Sequence, residues 1–110
     1  MAEPTLQEVF GANATQDATT ITIKKSDLAI VGLTANANNT AEALLVALVM
    51  LAARSLSETN RVSDTLNRNV SVNYSGQDLI DQGSSYFRRD IYNVLLYKTT
   101  QLATVNPNDY

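Results

Sequence analysis

The chain has 110 residues, a formal net charge of -3, and neither histidine nor cysteine. These facts set aside disulfides, thiolate nucleophiles, zinc centres and imidazole proton transfer, and they give no basic field for nucleic acid. The length suits one domain with a small core.

Pro4 to Phe10 reads as one short helical turn, closed at Gly11. Ala12 to Ala18 is small and polar, a loop. In ATTITIKKSDL, Ile21 and Ile23 alternate with Thr20, Thr22 and Lys24, which predicts a strand with one buried side and a turn at Ser26 and Asp27. Leu28 to Leu33 is a short apolar run, either a strand or a packed loop, and residues 35–39 are a linker of small residues.

A long helix follows, from about residue 40 to about residue 58. Asn39 is placed as its N-cap and Glu42 three residues on completes a capping box, while Asn60 closes the far end. Glu42 and Glu58 bracket it, with Arg54 as a pairing partner rather than an acid–base couple. From Ala43 to Ala53 it holds 11 residues with no charge and no polar group. A membrane span needs about 20 apolar residues. On a helical wheel Leu44, Leu45, Leu48, Leu51, Ala52 and Leu56 form one face, expected to pack on strands. The opposite side carries Ala43, Val46, Ala47, Met50, Ala53 and Arg54 and is apolar where a solvated helix would be charged. It is expected to meet another subunit, the alternative being that residues 1–18 fold back over it.

Residues 57–68 are a polar connection. NVSVNYS, residues 69–75, alternates with period two and predicts a strand. Gly76 to Ser85 reads as a loop with a helical turn near Asp78 to Asp81. Residues 84–100 form a long strand that pairs antiparallel with 69–75. On it Arg88 and Asp90 share a side and Arg89 faces away, which suits cross-strand ion pairs or an interface salt bridge. Phe87, Tyr86, Tyr92 and Tyr97 are read as core and interface packing.

The fold expected is α+β: one long helix on a small antiparallel sheet, with a domain at 19–100 between an N-terminal arm, 1–18, and a C-terminal tail, 101–110. No spacing matches a calcium loop or a phosphate-cradling glycine loop, so no cofactor, metal, small-molecule substrate, nucleic acid or membrane is expected as a partner, and the chain is expected not to be an enzyme. The N-terminus lacks the basic and apolar regions of a secretory signal. The subunit interface is assigned to Ala43, Val46, Ala47, Met50, Arg54, Arg88 and Tyr92.

The opening LQEVFGANATQ, the helix entry NNTAEALLVAL, the strand YFRRDIYNVLLYK and the closing NPNDY together resemble small virion proteins of tailed bacteriophages, cyanophages among them. The resemblance carries over no functional residue. It implies a structural role in repeated copies in a head, neck, tail or baseplate, with other structural proteins as partners. A soluble adaptor that binds one protein partner is the alternative.

Overall fold

The structure, a computed structural model, describes residues 2–110. Its class is α+β. In chain order the elements are α1 (Leu6–Phe10), β1 (Thr15–Gln16), β2 (Ile21–Thr22), a 3₁₀ segment (Lys25–Val31), α2 (Ala41–Ser55), α3 (Glu58–Ser63), β3 (Val70–Gln82), β4 (Ser85–Leu96) and a short 3₁₀ turn (Pro107–Asp109). The strands make two antiparallel pairs, β1 with β2 and β3 with β4.

Thr5 caps α1, its side chain accepting from Glu8 N at 3.1 Å. Gly11 ends the helix at φ 112°, a region that L side chains avoid. A Cβ there would lie 2.7 Å from the Asp27 Cβ, so the glycine also permits the close approach of the 3₁₀ segment. The Asp27 carboxylate binds the adjoining loop, accepting from Asn13 N at 2.8 Å and Asn13 Nδ2 at 2.7 Å. Residues 15–22, read as a loop and then a strand, form a minimal hairpin. Its turn is held by Asp17, whose carboxylate accepts from the Thr19 and Thr20 backbone N–H groups and is thereby held below the ordinary aspartate range. Leu28 to Leu33 is neither a strand nor an irregular loop. Lys25–Val31 is helical and Gly32 closes it in the left-handed conformation.

The long helix starts one residue later than expected and ends sooner. Thr40, not Asn39, is the N-cap of α2, accepting from Ala43 N at 3.1 Å. Asn39 is taken up by the preceding loop, where its side chain donates to Thr34 O and accepts from Asn36 N. At the other end Leu56 and Ser57 break the helix. Ser57 accepts from Asn60 N and starts α3, so Asn60 lies in the first turn of a new helix and not in a left-handed closing position; it meets the end of α2 through its side chain, which donates to Ser55 O at 3.0 Å. Glu58 accordingly pairs with Arg61, at 3.8 Å, and not with Arg54.

The buried apolar residues among those described are Ala14, Leu28, Ala47, Leu51 and Val72. Leu28, Ala47 and Leu51 form one cluster, with Val31, Leu33, Leu44 and Leu48 packed around it. The inward stripe of α2 therefore runs through Leu44, Ala47, Leu48 and Leu51, between the two faces drawn on the wheel. Leu45, assigned to the buried leucine face, is exposed. The reason is the partner: α2 packs on the 3₁₀ segment and on α1, and it meets the large sheet only at the base of β3.

β3 extends far beyond the alternating NVSVNYS stretch. The expected loop and helical turn at residues 76–85 are instead strand up to Gln82. Ser75 is an extra residue, and the register passes from Tyr74 opposite Tyr92 to Gly76 opposite Ile91. Gly83 and Ser84 alone turn the chain, with positive φ only at Gly83 (68°), as in a type II′ hairpin turn.

Candidate interaction surface

The residues expected at the interface fall into two places. Ala43, Val46, Ala47 and Met50 line one groove with Val31, Gly32 and Leu33, a volume of about 320 Å³. This groove is open and mainly apolar. Ala47 itself needs correcting: it is 4% exposed and belongs to the core with Leu28 and Leu51. An alanine is small enough to let the 3₁₀ segment approach the helix, so the chain covers this position with residues 28–33. Ala43 and Met50 are half-buried, while Val46 and Arg54 are exposed. The groove lining does not include Arg54.

Arg88 and Tyr92 lie on β4, away from that lining. Arg88 Nε is 3.1 Å from Asp90 Oδ2 in the same strand. The cross-strand ion pair belongs to its neighbour: Arg89 donates through Nε at 2.9 Å and Nη2 at 2.6 Å to the two oxygens of Asp78. This fork–fork geometry holds the Asp78 carboxyl below its ordinary range and raises the Arg89 guanidinium. Asp90 is lowered too, first by the Tyr74 hydroxyl, which donates at 2.9 Å, and then by Gln77 Nε2 at 2.8 Å. Tyr92 meets Tyr74 edge-on, with ring centroids 5.2 Å apart.

What sequence reasoning missed is the extent of bare apolar surface on this hairpin. Leu79 is 71% and Tyr86 77% exposed, and Phe87, Ile91, Val94, Leu95 and Leu96 are exposed with them. These residues occupy both faces. Tyr86, Val94 and Leu96 lie on the side of Val72 and Tyr74, and Phe87, Ile91 and Leu95 lie on the other. The apolar second half of the strand was visible in the sequence. The continuation of β3 was not, because Gly76, Gln77 and Asp78 follow Ser75 and the bulge breaks the period.

Two polar clusters hold the base of the hairpin. Arg68 is buried and donates through Nε to Ala2 O and through Nη1 to Ser55 O, with Glu8 at 3.6 Å from Nη2. Tyr97 donates to Glu58 Oε1 at 3.1 Å and carries the Arg61 guanidinium 3.4 Å over its ring. Removal from water raises the Tyr97 hydroxyl above its ordinary range, and the Glu58 carboxylate adds to this. Val72 N also donates to Leu56 O at 2.6 Å, which anchors β3 to the break between α2 and α3. Among the described residues no group of three or more acidic, cysteine or histidine side chains is placed to hold a metal ion, and no helix is long and apolar enough to cross a membrane.

No family model matches the chain, no curated protein matches it in sequence, and no solved structure matches it.

Proposed function

We propose that this chain is a non-enzymatic structural subunit of a multi-copy assembly, of the kind that builds the virion of a tailed phage, where it would be assembled from the host cytoplasm. One observation carries the assembly reading. The accessible surface is 8061 Å², whereas a folded monomer of this mass exposes roughly 6,000 Å². The excess, about 2,000 Å² by that scaling, is the size of a large subunit interface. The radius of gyration, 16.2 Å, agrees with this, because a compact chain of this length has about 13 Å.

Eight of the exposed large apolar side chains lie on β3 and β4. A two-stranded hairpin is at best marginally stable alone in water. Here its outer two thirds have no layer against either face, so contacts from other molecules complete it. The phage part of the reading is supported by the likeness of the sequence to small virion proteins. The residues named for contact are Ala43, Val46 and Met50 in the groove, Arg54 beside them, and Arg88 and Tyr92 on the hairpin.

The test is the mass of the purified chain by light scattering after size exclusion, over a hundredfold range of concentration. A discrete multimer is expected. A monomer at every concentration would move the adaptor reading, with one heterologous partner, to first place.

A further inference from the structure

At its base β3 has a neighbour on each side. β4 pairs along one edge, and on the other the Leu56 carbonyl accepts from Val72 N, with α2 and α3 packed nearby. The outer edge of β4 has no such cover, and from Ser85 to Leu96 every residue is exposed except the half-buried Tyr92. In an antiparallel pair, alternate residues exchange both backbone bonds, and those between them turn N–H and C=O outward. Gln82 and Ser85 close the two-residue turn as a bonded pair. Counting from them, Tyr86, Arg88 and Asp90 present free backbone groups along this edge.

That edge is complementary to itself. Arg88 and Asp90 stand side by side on one face. Consider a second β4 laid antiparallel with Arg89 opposite Arg89. Each Arg88 then faces Asp90 of the second copy, and the two in-strand bridges and two new ones close a square of alternating charge. Tyr86 meets Tyr92 and Phe87 meets Ile91 in the same register. The two central Arg89 side chains are each already neutralised by Asp78. The backbone agrees, because Arg88 and Asp90 are outward residues and bond at those same pairs. A shift of the register sum by two either way sets Asp90 against Asp90 or Arg88 against Arg88, like charges directly opposite.

The geometry points to a second copy of this chain as the occupant of the β4 edge, paired about a two-fold axis through Arg89 to make one four-stranded sheet. This rests on the assembly reading and names one of its contacts. Edge-to-edge pairing also satisfies main-chain groups that a bare edge leaves to water.

The chain has no cysteine, so a single introduced thiol reports its own two-fold neighbour. Arg89→Cys should oxidise to a covalent dimer, since facing residues of a non-bonded pair have Cα atoms about 4.5 Å apart, within disulfide range. Asn93→Cys, exposed on the same face, should not, since its counterpart lies about 27 Å along the strand. Arg88→Asp and Asp90→Arg should each weaken self-association at least tenfold, and an equal mixture of the two variants should restore it. If the wild-type chain is a multimer but Arg89→Cys does not cross-link, or cross-links no better than Asn93→Cys, the pairing is wrong and the assembly reading stands. Charge variants that associate as well as wild type have the same meaning. A wild-type chain that is monomeric throughout removes both.

Discussion

The Nε of Arg68 donates to the carbonyl of Ala2 at 3.0 Å, joining residues 66 apart in the chain. The same guanidinium reaches Ser55 O, at the end of α2. Its side chain is 6% exposed, so the charge is out of water and depends on these acceptors and on Glu8. Replacing Arg68 by Met keeps much of the stem and leaves the carbonyls without a donor. The expected loss is about 2–3 kcal/mol, read as a lower urea midpoint. Residues 2–10 should also become open to proteolysis before the hairpin does. Arg68→Lys should recover less than half of it, because an ammonium lacks the planar fork that reaches both carbonyls.

Ala47 and Val46 are adjacent, yet they should respond differently to the same change. Ala47→Glu places a carboxylate against Leu28 and Leu51 with no partner in the core. It should cost at least about 3 kcal/mol and unfold the chain or nearly so. Val46→Glu falls on an exposed site and should leave the chain folded, its effect falling on self-association instead. A folded, stable Ala47→Glu protein would mean that the 3₁₀ segment does not cover the helix.

Gly11→Ala tests the approach of Asp27. The new methyl would meet the Asp27 Cβ, and the φ of 112° is unfavourable to alanine as well. A destabilisation of about 2 kcal/mol is expected, together with loss of hydrogen-exchange protection at Asn13 N, which Asp27 accepts from.

Acid should loosen the hairpin before the helices. Asp78 is held below its ordinary value of 3.8 by Arg89, and Asp90 by Tyr74 and Gln77. A carboxylate with a lowered folded value contributes stability above its unfolded value and loses it as pH falls through the folded one. The contribution should therefore be complete above about pH 5 and fade below about pH 3.8. Two-dimensional NMR would show it as exchange broadening at Arg89 Nε–H while α2 amides stay sharp. Asp78→Asn should abolish most of that pH response.

The α+β class was legible because its signals are local: an 11-residue uncharged run from Ala43 to Ala53 and the period-two stretch NVSVNYS, residues 69–75. Pro4 to Gly11 was legible for the same reason. What was not legible depends on third parties. The wheel cannot tell which of two apolar faces a 3₁₀ segment will take, and the buried stripe fell between them, through Ala47. The cap moved from Asn39 to Thr40 because Asn39 had loop partners that spacing does not reveal. β3 was cut short at Ser75 since a bulge changes the parity of the strand, and Gly76, Gln77 and Asp78 read as a loop. Arg68 looked like one more surface charge in a polar connection. Its burial follows from contacts 13 and 66 residues away.

The separation between contacts also orders the folding reaction. Across β3 and β4 the pairs run from Gln82 with Ser85 to Val70 with Leu96, all nested around one two-residue turn. Such zippering needs only short loop closures, on the microsecond scale of hairpins. The Arg68 clasp must instead close most of the chain upon itself, and on a ribosome it cannot form until residue 68 has emerged. The N-terminal residues are thus made first and secured late. Until then the Ser55 carbonyl at the end of α2 has the Asn60 side chain as its donor, and residues 2–10 wait on Arg68 for their place.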